Sequence, residues 1–208
     1  MELQYYGANC IKVATKKAAL VIDDNLADLG LSLVTKAGDI ALFTGTHTTP
    51  KTEVKLVIDH PGEYEASDIS IQGVAARSHI EEKDAKDATI FKIIADDIRL
   101  VVIGHIYPEL SDEQLEALGT VDVLVIPVGG NGYTLDPIGA LKIIKKIEPK
   151  IVIPTHYADK KLKYPVPQQE LAVALKELAM EPRETVAKLK LKPTDLTDVT
   201  QLIVLERQ

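Results

Sequence analysis

The sequence predicts an α/β fold in which strands come first and a β-α-β-α arrangement follows. Three observations carry that prediction. Residues 122–157 read as strand, glycine turn, helix and strand, ending in a histidine. The first half is a succession of short Val- and Ile-rich runs divided by Gly, Pro, Asn and Asp. After one more amphipathic helix, residues 185–192 and 200–205 read as closing strands.

Residues 2–15 form two strands meeting at Gly7-Ala8-Asn9, and Ala18 to Ile22 is a further apolar strand ending in Asp23-Asp24. Residues 25–38 are mixed and read as a loop with a short helical turn. Ile40 to Phe43 is a strand that runs straight into Thr44-Gly45-Thr46-His47-Thr48-Thr49-Pro50. Lys55 to Ile58 is another, followed by a turn signal at Pro61-Gly62. Beyond it, Glu63 and Glu65 share one face of any strand, with Tyr64 opposite; such a pair could do acid–base work, and a solvated face is the favoured reading. Ile69 to Ala76 alternates and ends near Ser78-His79, and the charge run at 81–88 reads as a solvated loop. Ala88 to Ile94 and Ile98 to Ile103 form a hairpin with Asp96-Asp97 in the turn. Its second strand ends in Gly104-His105. Ser111 opens a helix to Leu118, with Gln114 as its reciprocal capping partner.

The unit at 122–157 is the most legible. Val123 to Ile126 and Ile151 to Ile153 are buried-strand runs. Asp136 caps the intervening helix and Pro137 fits its first turn. Ile138, Leu141, Ile143, Ile144 and Ile147 form the apolar side, and Pro149 closes the helix. Such a unit makes a right-handed crossover between parallel strands, with the site beyond their carboxyl ends. His156 follows the second strand directly. Pro167 to Ala179 reads as an amphipathic helix with Leu171, Ala174, Leu175 and Leu178 on one side.

At 208 residues the chain is long enough for one core, so a single domain over 1–208 is expected. A hydrophobic share of 46% with 26% charged residues fits a soluble globular class. The net charge of −7 argues against a nucleic-acid backbone as partner; the KKLK run at 160–163 is a local exception that reads as a solvated loop. A single cysteine, Cys10, rules out a disulfide framework within the chain and reads as a small core residue. The start MELQYYG lacks a signal pattern, and no apolar run reaches membrane-spanning length, so no membrane partner and a cytoplasmic location are expected.

Four of the five histidines follow directly on apolar strands: His47, His79, His105 and His156. Histidine is the commonest metal ligand, and strand ends at one sheet edge can converge from distant sequence positions. Each alone reads as a polar residue where strand meets loop. Together they predict one cleft.

Two stretches resemble the metallo-β-lactamase superfamily: PGEYE at 61–65, and VDVLVIPVGGNGYTLD with PKIVIPTHY across 121–157. Within that superfamily the chain is similar to the small proteins of the L-ascorbate-6-phosphate lactonase group, and the resemblance covers nearly its whole length. It implies a four-layer α/β/β/α sandwich with metal at one edge of two sheets. It also implies His47, His79, His105 and His156 as metal ligands, with His105 standing where the family has an aspartate. The family loop T-H-x-H-x-D-H is matched by Thr44 to Pro50, of which only the second histidine survives. Thr49 and Pro50 supply no ligand in place of Asp and His, so the resemblance implies at most one ion, zinc, on neutral imidazoles. Asp23, Asp24 and Asp136 are the candidate carboxylates to orient a ligand or act as general base, with Asp24 preferred. Gly129-Gly130, Asn131 and Tyr133 line the adjacent turn; the glycines suit an anion, and a plain tight turn explains them as well.

Two functions follow from the resemblance. One is a hydrolase of a small ester, lactone or phosphoester; the other is an inactive relative whose pocket binds a small-molecule ligand or a protein. Relatives of the group assemble, so a homo-oligomer is also implied. Nucleic-acid processing is disfavoured by the charge.

Overall fold

Two sheets face each other across an apolar layer. The structure, a computed structural model, describes residues 1–45, 50, 52–79 and 87–208. In chain order the strands are β1 (Glu2–Gly7), β2 (Cys10–Ala14), β3 (Ala19–Ile22), β4 (Ile40–Leu42), β5 (Leu56–Ile58), β6 (Gly62–Ala66), β7 (Ile69–Ala76), β8 (Ala88–Ala95), β9 (Ile98–Val102), β10 (Val123–Pro127), β11 (Ile151–Thr155), β12 (Pro182–Val186), β13 (Leu189–Lys190) and β14 (Gln201–Leu205). The helices are α1 (Asp112–Leu118), α2 (Pro137–Ile147) and α3 (Leu171–Leu178). One sheet has the order β13-β1-β2-β3-β4-β5, the other β12-β14-β11-β10-β9-β8-β7-β6.

The second sheet is antiparallel from β6 to β9 and parallel from β9 through β10, β11 and β14 to β12. Its central strands are buried on both faces, which explains their unbroken apolar runs. Leu100, Val102, Val123 and Val125 face the other sheet, where Leu3, Val13, Leu20 and Ile22 meet them. Val101, Ile103, Leu124 and Ile126 face outward against Leu118, Ala140, Ile143, Ala174 and Leu178 of the three helices. The outer face of the first sheet is covered more thinly. Cys10 and Val21 pack there against Leu26, in a single 3-10 turn at Leu26–Leu29, and against Leu162. The four layers of the sandwich are therefore helices, two sheets, and a cover of one turn and loops.

Local signals act as the sequence predicts. Asp136 Oδ1 accepts the Gly139 N–H at 2.6 Å. Ser111 and Gln114 close a reciprocal capping box, Ser111 Oγ accepting at 3.2 Å and Gln114 Oε1 at 2.8 Å. Asp96 and Asp97 both take positive φ in the β8–β9 turn, the geometry a tight hairpin requires. Glu63 and Glu65 are exposed.

Three expectations are corrected. The helix expected from Pro167 begins at Leu171. Residues just before it bridge two strand ends instead: Gln169 N–H donates to Gly129 O, and Ala158 N–H donates to Gln169 O, each at 2.9 Å. The closing strand expected at 185–192 is split between the sheets, β12 pairing with β14 and β13 with β1. Ile138, expected on the apolar side of α2, is exposed. Among the described residues no helix is long and apolar enough to cross a membrane.

Candidate functional site

At the carboxyl ends of β10 and β11 the two sheets come together under a cleft of about 590 Å³. Its floor is a chain of buried polar groups from four separate stretches. Thr155 Oγ1 donates to Asn9 Oδ1 at 2.7 Å, and Asn9 Nδ2 donates to Asp23 Oδ2 at 2.7 Å and to Ile103 O at 3.3 Å. Thr44 donates to Asp23 twice, from its N–H at 2.7 Å and its hydroxyl at 2.6 Å. Asp23 reaches this position because it leaves β3 with φ of 53°, a left-handed turn that Asp tolerates better than most residues. Burial pushes the Asp23 carboxyl above its ordinary value, against the opposing pull of Thr44 and Asn9. Gly104 makes room for this arrangement: a Cβ there would stand 1.9 Å from Thr44 Oγ1.

Above the floor stand two imidazoles. The rings of His105 and His156 lie 4.6 Å apart, centre to centre, at 88°. Tyr133 packs against His105 at 5.0 Å and Tyr164 against His156 at 5.1 Å. His156, also left-handed at φ 54°, is pinned by its N–H to Ala8 O at 2.7 Å. Burial holds both rings neutral: His105 falls to about 3, with His156 and His79 adding to the effect, and His156 falls to about 4. His156 Nδ1 lies 3.1 Å from Gln168 Oε1. His105 Nδ1 is buried with no hydrogen-bond partner among the described residues.

The sequence candidates are thus distributed unevenly. His105 and His156 come together in the cleft. His79 stands behind His105: its N–H donates to His105 O at 2.8 Å, and its Nδ1 lies 3.3 Å from Ile106 O. A carbonyl only accepts, so Nδ1 of His79 carries the hydrogen there. His47 lies outside the described residues. Asp24 is turned away from the cleft. Its Oδ2 accepts from Val34 N at 2.8 Å, Thr35 N at 2.7 Å and Thr35 Oγ1 at 2.6 Å, so it anchors the loop after the 3-10 turn. Asp136 is occupied as the cap of α2. Among the described residues the carboxylates lining the cleft are Asp23 and Asp28, and Asp23 is the one tied into its floor. Asn9 and Gln168 were not singled out by sequence; Asn9 reads as a turn residue, and Gln168 sits inside what reads as a helix.

A metal is the group this fold implies, and the donor set can be tested against it. Two neutral imidazoles, one with a buried nitrogen lacking a partner, fit a borderline cation such as zinc. Among the described residues no group of three His, Cys, Asp or Glu side chains converges on one point.

Residues 2–156 match the family described as a beta-lactamase superfamily domain. A stretch of 43 residues is 44% identical to a UPF0173 metal-dependent hydrolase of Carboxydothermus hydrogenoformans, covering 21% of this chain and 19% of that protein. A stretch of 48 residues is 42% identical to a UPF0173 metal-dependent hydrolase of Thermoplasma acidophilum, covering 22% of this chain and 21% of that one. These matches span only about a fifth of either relative's length. Among solved structures, a metallo-beta-lactamase superfamily protein from Thermotoga maritima superimposes with a TM-score of 0.77 at 23% identity, over 99% of both chains.

Proposed function

This chain belongs to the beta-lactamase superfamily, and from that premise we propose that it is a hydrolase using at most one metal ion, zinc, on a small ester, lactone or phosphoester. The observation that carries the reading is the pairing of His105 and His156, two buried neutral imidazoles in contact at the mouth of the parallel strands. His105 Nδ1 and His156 Nε2 would be the donors, and the resemblance adds His47 and His79 as further ligands. Bound there, the ion would supply Lewis acidity and a water of lowered pKa.

The chain's own residues have separable tasks. Asp23 is the carboxylate at the cleft floor, and its raised pKa suits a group that accepts and returns a proton. Asp24 we assign to holding the 34–35 loop. Tyr133 and Tyr164 wall the imidazoles and narrow the access of water. Lys163 on the rim offers a cation to an acidic substrate. The motifs at 61–65 and 121–157 support a place in the L-ascorbate-6-phosphate lactonase-like group. The net charge of −7 supports a small-molecule partner over nucleic acid.

A second reading rests on a specific observation. Thr49 and Pro50 stand where the family loop carries Asp and His, which favours an inactive relative that binds a ligand without turning it over. The two separate on one measurement. Protein purified without chelators is assayed for zinc, manganese and iron, and for hydrolysis of esters, lactones and phosphoesters, beside a His105→Ala/His156→Ala variant. The hydrolase reading expects about one ion per chain and turnover, both lost in the variant. A folded wild type with neither leaves the binding role.

A further inference from the structure

We infer that Gln168 is a positioning residue that fixes which ring nitrogen of His156 presents its lone pair. The inference stands independently of the hydrolase reading, because it concerns the state of the imidazole before anything binds.

The argument begins at the far end of the glutamine. Its Nε2 donates to Val166 O at 2.7 Å. Reversing the amide would set two oxygens against each other, so the orientation is determined by this bond. The remaining atom, Oε1, then faces His156 Nδ1 at 3.1 Å. An amide oxygen only accepts, so Nδ1 carries the hydrogen. In a neutral imidazole the other nitrogen, Nε2, is left with the lone pair.

The glutamine is held as a fixed part. It is 9% exposed. The next residue bridges two strand ends, donating from its N–H to Gly129 O and accepting from Ala158 N–H, both at 2.9 Å. Gly129 is shaped to the contact: a Cβ there would stand 2.2 Å from Gln168 Oε1 and 2.0 Å from His156 O. The segment at 158–170 therefore does more than cover the cleft. It delivers a hydrogen-bond acceptor to the back of the histidine, as a partner that orients a metal-binding imidazole must.

The test reads the tautomer directly. Metal-free chain labelled with ¹⁵N-histidine is examined by long-range ¹H–¹⁵N correlation at pH 7.5, and zinc affinity is measured by competition with a chromophoric chelator. In wild type, His156 is expected with a protonated Nδ1 and a bare Nε2. Gln168→Leu removes the acceptor at similar volume; the Nδ1–H form is expected to lose its dominance and zinc affinity to fall about 10- to 100-fold. Gln168→Glu keeps an acceptor for Nδ1 while losing the donor to Val166 O, so it is expected to keep the wild-type tautomer at lower stability. A wild-type spectrum with the hydrogen on Nε2 overturns the inference, as does a Gln168→Leu chain that retains both tautomer and affinity. If Gln168→Leu does not fold, the wild-type and Gln168→Glu spectra decide. Wild type that binds no zinc but shows Nδ1–H removes the metal reading and leaves this one standing.

Discussion

Thr44 grips Asp23 with both of its donors, the N–H on Oδ1 at 2.7 Å and the hydroxyl on Oδ2 at 2.6 Å. A buried carboxylate without such partners is costly. This contact joins the end of β4 to the end of β3 and sets the cleft floor.

Removing the hydroxyl should therefore weaken the whole fold. Thr44→Val is expected to cost about 1–3 kcal/mol in urea denaturation, since one oxygen of a buried acid loses a donor. Gly104→Ala should cost more than Thr44→Val, because its Cβ would stand 1.9 Å from Thr44 Oγ1 and the two strands must separate. A Gly104→Ala chain as stable as wild type would mean that the floor is not packed as described.

Asp24 gives a different signature. Its Oδ2 gathers three donors from Val34 and Thr35. Asp24→Ala should expose those amides, and hydrogen exchange at Val34 and Thr35 should accelerate by at least tenfold. Asp24→Asn keeps an acceptor and should fall between. Unchanged exchange in Asp24→Ala would show that the loop is held by other means.

Acid stability follows from the two imidazoles. The ordinary value of 6.5 drops to about 3 for His105 and about 4 for His156 in the folded chain. Below pH 6.5 the unfolded chain takes up protons that the folded chain refuses. Stability of the metal-free protein should thus fall as pH drops from about 6.5 towards 4, by several kcal/mol for the pair. Asp23 works in the opposite sense, since its folded value is raised above 3.8 and the folded chain takes up that proton first as the pH falls. Urea midpoints at pH 7 and pH 5 check this: the wild-type midpoint should fall, and a His105→Asn/His156→Asn chain should show a much flatter profile.

The architecture was readable where local chemistry and periodicity agreed. The β10-α2-β11 unit carries its own caps and period, and the Asp96-Asp97 turn its own geometry. The meeting of His105 and His156 was readable too, because strand ends of a parallel sheet share one edge. What could not be read depends on contacts between distant stretches. Residues 167–170 have a helical pattern, yet their backbone is drawn out by Gly129 and Ala158. Adjacent acids Asp23 and Asp24 point into different surroundings, and the choice rests on one left-handed φ at Asp23. Gly129 reads as turn punctuation, whereas the structure needs its bareness for Gln168 and His156 O.

The placement of β14 between β11 and β12 has a temporal consequence. Strand β12 is translated before β14, its neighbour in that sheet among the described residues. Until Gln201–Leu205 has been made, Pro182–Val186 has no ladder to join in that sheet. The rim of the larger sheet therefore waits on β14, which is translated after both β11 and β12, and until then β11 stands in the nascent chain with one border open.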